Sequence, residues 1–120
     1  MTNYRDLEIY KEAYNLALKI HEMSLLLPNY ELYEQGSQIR RSSKSIKDSI
    51  AEGYGRKRYK ADFIKFLVYA HASCDETISQ LNMISDLYYK ENPLFELINA
   101  YEILGSKINR FTKFVDENWK

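Results

Sequence analysis

A chain of 120 residues is long enough to bury a core without disulfide or metal staples, and short enough that residues 1–120 are expected to form one domain. With 45% apolar and 28% charged residues and only four Gly and two Pro, it has the balance of a globular protein and little material for disordered tails. The 17 basic and 17 acidic residues cancel, the single Cys74 excludes an internal disulfide, and no apolar run approaches the roughly 18 residues of a membrane span. The leading stretch MTNYRDLEIYKEAY carries acidic residues where a secretion signal needs an apolar region, so a cytoplasmic location is expected.

From Asp6 to about Leu26, the residues Ile9, Ala13, Leu16, Ala17, Ile20, Met23 and Leu27 recur at three- and four-residue steps, which places them on one helix face. Asp6 is the expected N-cap, and Pro28 stops this first helix near Leu26 or Leu27 because it biases the preceding residue away from helix. A second helix is predicted over about 32–53, with Ile39, Ser43, Ile46, Ile50 and Gly53 facing inward. Ser42, Ser43, Ser45, Ser49 and Ala51 would let a neighbouring helix approach closely, and Gly53-Tyr54-Gly55 is expected to end the helix through a left-handed glycine. The third stretch, about 61–89, puts Phe63, Phe66, Leu67, Ala70, Cys74, Ile78, Leu81, Ile84 and Tyr88 on one side. Asn92-Pro93 reads as a cap followed by proline in the first turn of a fourth helix over about 93–117, with Leu94, Ile98, Tyr101, Leu104, Ile108, Phe111 and Val115 repeating along it. Four such helices with short connections predict an all-α, antiparallel up-down-up-down four-helix bundle.

Charge is distributed unevenly along this chain. Between Arg40 and Lys65 lie Arg40, Arg41, Lys44, Lys47, Arg56, Lys57, Arg58, Lys60 and Lys65 against Asp48, Glu52 and Asp62, a local excess of +6 within a neutral whole. A phosphate backbone is attracted to such a cluster through counterion release, and Tyr54 and Tyr59 beside it are candidates for stacking on unpaired bases. The competing reading is that these cations pair with carboxylates of neighbouring helices or solvate a face. Glu52, near the end of the second helix, is badly placed for the helix dipole and is expected to pair with Arg41 or Arg56.

Of the eleven tyrosines, Tyr4, Tyr10, Tyr14, Tyr30, Tyr33, Tyr69, Tyr88, Tyr89 and Tyr101 exceed what a small core holds comfortably, so many are expected at boundaries or at a subunit interface. Nothing in the sequence points to an enzyme. His21 and His71 belong to no metal-ligand spacing, and Cys74 one turn from His71 lacks a third group to orient a base, so it reads as a core cysteine. No glycine-rich strand-to-helix turn offers a nucleotide site, and no cofactor or metal is expected.

The segments QIRRSSKSIKDSIAEGYGR (38–56) and ADFIKFLVYAHASCDETISQL (61–81), preceded by DLEIYKEAYNLALKI and LPNYE, resemble a four-helix-bundle family. That family includes proteins encoded in intervening sequences of large-subunit ribosomal RNA genes, and the accessory variability protein of diversity-generating retroelements. The resemblance covers about residues 6–85, with the stretch IAEGYGR its most specific part. It implies a bundle assembled as a ring-like homopentamer whose basic surface binds RNA or DNA, and, in the retroelement branch, a protein partner in the form of a reverse transcriptase. Arg40, Arg41 and Arg56 match the family's basic positions, whereas Lys44, Lys57, Arg58 and Lys60 rest on local charge alone. Lys47 stands where the family has proline, which implies a straighter second helix, and Tyr10 stands for a tryptophan, Ser49 for asparagine and His71-Ala72 for Arg-Gly.

Overall fold

The computed structural model describes residues 3–120. Its four long helices are α1 (Glu8–Ser24), α2 (Gln35–Gly55), α3 (Lys60–Tyr88) and α4 (Phe95–Asn118), with single 3-10 turns at Tyr4–Asp6 and Asn29–Glu31. Consecutive helices run antiparallel, α1 and α3 each lying between α2 and α4, so the molecule is an up-down-up-down four-helix bundle. It is a rod of 48 × 22 × 21 Å, and α3, at ~1.5 Å per residue, traverses nearly all of that length.

The inward stripes read from spacing are the ones that pack. Ile9, Ala13, Leu16, Ala17, Ile20, Met23 and Leu27 are all buried, as are Ile39, Ser43, Ile46, Ile50 and Gly53 of α2. Phe63, Leu67, Ala70, Cys74, Leu81 and Ile84 of α3 meet Tyr101, Leu104, Ile108 and Val115 of α4, while Phe66, Ile78, Tyr88, Leu94, Ile98 and Phe111 are only half-buried. Of the nine tyrosines judged too many for a small core, all but Tyr101 are half-buried or exposed. Tyr101 sits wholly inside, its hydroxyl without a hydrogen-bond partner, and burial raises its pKa far above the ordinary phenol value.

The α2–α3 seam shows what the small residues accomplish. Ser45 Oγ lies 2.7 Å from Ser73 Oγ, and Ser42 Oγ lies 2.8 Å from Gln80 Oε1 and 2.9 Å from Thr77 Oγ1. These hydroxyls satisfy one another across the seam instead of only bonding back to their own helix. Gly53 closes the same seam: a Cβ there would stand 2.9 Å from the Cβ of Phe66, closer than packed carbons tolerate.

Three helix ends differ from expectation. No described residue has a positive φ, so the glycines do not end α2 by a left-handed cap. The helix instead continues through Gly53 to Gly55 and unwinds at Arg56 (φ −106°, ψ 15°), whose N–H reaches the Gly53 carbonyl at 3.0 Å. Asp6 is not the cap of α1, because Asn3 caps the preceding 3-10 turn in a reciprocal box with Asp6, and the N-cap position of α1 falls to Leu7. Asn92-Pro93 lies before α4, which begins only at Phe95 because Leu94 turns out of helix (φ −80°, ψ 48°), with its N–H on Ser85 Oγ at 3.3 Å. At the first connection, α1 ends at Ser24, α2 starts at Gln35, and a short turn after Pro28 occupies part of the gap.

Candidate nucleic-acid interface

Eight cations of the basic run, all but Lys65, lie along α2, the α2–α3 turn and the first residue of α3, and the fold treats them unequally. Arg40 points back across the first connection, donating from Nη1 to Ser24 Oγ at 3.0 Å and from Nη2 to the Leu32 carbonyl at 2.7 Å. Its guanidinium lies over Gly36, where a Cβ would meet Arg40 Nη1 at 2.9 Å and the Glu31 carbonyl at 2.7 Å. A guanidinium so placed satisfies backbone and hydroxyl groups of a helix-to-helix turn, so it holds the fold.

At the other end of α2, Arg56 bonds Glu52 at 3.3 Å, lies 3.6 Å from Asp62, and rests 4.9 Å above the Phe66 ring. Glu52 thus finds the partner its position at a helix end demands. Lys57 caps the Tyr54 ring at 3.9 Å and Lys60 lies 3.9 Å from Asp116 of α4. The same turn is pinned by Trp119, which donates from Nε1 to the Lys57 carbonyl at 3.0 Å and packs edge-on against Phe63 at 5.4 Å. Arg58 is exposed and stands 5.9 Å from the Tyr59 ring. Tyr54 is not available to a base: it is buried, edge-on to Phe63 at 6.0 Å and roofed by Lys57.

Midway along α2 the arrangement is more open. Arg41 and Lys44 are exposed and, among the described residues, form no ion pair; Arg41 donates only to Ser37 Oγ at 3.3 Å. Lys47 is bonded to Asp48 at 2.7 Å, which raises its pKa above the ordinary lysine value, and it also lies 5.8 Å from the Tyr14 ring. Tyr14 belongs to α1, so the fold brings together residues that are some thirty positions apart. Arg5, Tyr10 and Lys11 adjoin Tyr14 on its other side. By sequence Tyr10 and Tyr14 are boundary residues; their i, i+4 spacing beside Lys11 is a signal that they share a face, but which neighbour that face meets is not encoded locally.

Elsewhere the titratable groups serve the core. Cys74 is buried, donates to the Tyr101 carbonyl at 3.2 Å, and burial pushes its thiol up to about 12. His71 faces Asp75 at 3.5 Å rather than acting on the thiol. Glu31, also buried, accepts from the Tyr88 hydroxyl and from Gln35 Nε2, which holds its carboxyl below the usual carboxylate value. No described group of three or more His, Cys, Asp or Glu is arranged to hold a metal, and no described helix is long and apolar enough to cross a membrane.

Fold and surface together define the class: a small four-helix bundle in which a cationic helix lies between an aromatic neighbour and a tightly packed, hydroxyl-lined one. The model of the 23S rRNA-intervening sequence protein family matches residues 5–110, and the chain belongs to that family, whose description names no reaction. Comparison with curated proteins gives no significant match.

Proposed function

We propose that this protein is a non-enzymatic, oligomeric bundle that binds nucleic acid through the cationic surface of α2. The observation that carries this reading is the exposed pair Arg41 and Lys44 at the centre of α2, neither in an ion pair among the described residues. Cations without carboxylate partners remain free to displace counterions from phosphates, whereas the paired cations of the α2–α3 turn must first give up internal contacts. A neutral subunit carrying a small cationic surface binds weakly alone, and several copies in one particle raise the apparent affinity through effective concentration. Self-association is supported by large apolar side chains left exposed on the outer faces of the last two helices, among them Val68, Met83, Leu87, Phe95 and Ile103. The family resemblance points to five copies.

Mass by light scattering, followed by RNA and DNA binding at low and moderate salt, tests both parts. A homo-oligomer whose affinity falls steeply with salt, and falls further in the Arg41→Glu plus Lys44→Glu variant, is the expected result. Arg40 is left intact in that variant because its guanidinium holds the first connection. A particle that binds neither nucleic acid at low salt overturns the reading and leaves a protein partner as the better search.

A further inference from the structure

The face where α1 meets α2 brings aromatic surface and positive charge together. Tyr4, Tyr10 and Tyr14 form a file of rings, with centroids 4.9 Å apart for the first pair and 6.1 Å for the second. Two shallow grooves meet at Tyr14. One, of about 400 Å³, is lined by Arg5, Tyr10, Lys11, Tyr14 and Asn15; the other, of about 380 Å³, by Tyr14, Ala17, Leu18, His21, Lys44 and Lys47. The Tyr14 ring is 45% exposed and Leu18 51% exposed, so the floor is open and apolar. Four cations rim it and no carboxylate lines either groove; Asp48 lies outside and holds one of the four, Lys47.

We propose that this trough is a stacking site for unpaired bases, so that the protein prefers single-stranded nucleic acid to duplex. The proposal rests on the nucleic-acid reading above and names the strand form that reading leaves open. An exposed aromatic ring flanked by cations attracts a strand in two ways: the ring offers a π-face to a base, and the ammonium and guanidinium groups meet the phosphates on either side. A duplex keeps its base faces stacked inside and presents only phosphates and groove edges, so Tyr14 gains nothing from it. From Lys11 to His21 the trough runs ~15 Å along α1, long enough for a strand to follow it past Tyr14. Charge complementarity therefore selects a polyanion, and the open ring selects an unpaired one.

The test is direct binding of labelled single-stranded and duplex oligonucleotides of equal length, at low and moderate salt, to the wild-type protein and to Tyr14→Ala and Tyr14→Phe, with particle mass recorded for each. Single strands are expected to bind more tightly than duplex. Tyr14→Ala should weaken single-strand binding on the order of tenfold while leaving duplex binding and particle mass unchanged, and Tyr14→Phe should keep the preference. Equal affinity for both forms, or a Tyr14→Ala variant indistinguishable from wild type, overturns the stacking site while the nucleic-acid reading stands. A smaller particle for Tyr14→Ala also overturns it, because the face is then a subunit contact. Binding of neither form by the wild type removes both readings together.

Discussion

The α2–α3 turn and the middle of α2 belong to one basic run in the sequence, yet they differ in what their charges do. In the turn, Arg56 is held by Glu52 and Asp62, Lys57 covers Tyr54, Lys60 approaches Asp116, and Trp119 clamps the Lys57 carbonyl, while Arg58 is left exposed. At the middle of α2, Arg41 and Lys44 are exposed and Lys47 reaches toward the open ring of Tyr14. Local charge density is thus a poor guide to an interaction surface. What matters is whether the fold supplies each cation with a partner of its own.

Four experiments sharpen or break that contrast. The largest effect is expected for Trp119→Ala, which removes both the indole bond to the turn and the contact with Phe63; a loss of about 2 kcal/mol, read as a melting temperature lower by about 6–10 °C, follows if the turn is structural. An unchanged melting temperature would mean that the turn does not depend on its clamp. Arg40→Ala should cost about 1–2 kcal/mol in chemical denaturation by stripping the first connection of two charge-assisted hydrogen bonds, with nucleic-acid affinity of the folded fraction little altered. If affinity falls and stability does not, Arg40 belongs with the open cations instead.

Arg56→Gln, breaking an exposed pair, is expected to cost at most about 1 kcal/mol and to change the salt dependence of binding less than Lys44→Gln does. For Lys44→Gln the slope of log affinity against log salt should shrink by about one for each subunit engaged. Equal slopes would erase the distinction between the two regions. The smallest effect concerns pH. Because the folded protein holds the Glu31 carboxyl below its ordinary value of 4.5, that group contributes stability that is fully present above about pH 4.5 and lost as the pH falls through its folded value. Glu31→Gln should therefore flatten the acid limb of a stability profile, and an unaltered limb would show that the Tyr88 contact does not hold the first connection.

Much of the bundle was legible in the sequence because three- and four-residue spacing is a local property: an apolar stripe on a helix must be buried wherever the helix goes. The stripes of α1 and α2 are accordingly buried residue by residue. Helix ends were less legible. The Gly53-Tyr54-Gly55 run does mark the end of α2, at Gly55, but without a left-handed glycine; what Gly53 answers to is the Cβ of Phe66 on another helix, and a close approach of that kind leaves no trace in the spacing of either segment. Asn92-Pro93 had the chemistry of a helix start and was displaced because Leu94 turns out of helix to meet Ser85.

The candidate surface divides along the same line. Composition, charge run and motif by themselves determined that the chain is an all-α bundle with a basic middle, and the family match over residues 5–110 agrees with the resemblance those motifs carry. Apart from Arg56, which the sequence already offered to Glu52, which cations are spent on the fold, that Tyr54 is roofed over, and that Tyr14 opens beside Lys44 and Lys47 were decided only by the tertiary structure. The physical reason is range: helix periodicity acts between residues three and four apart, whereas a charge is paired or left open by whatever helix the fold happens to bring within ~4 Å of it.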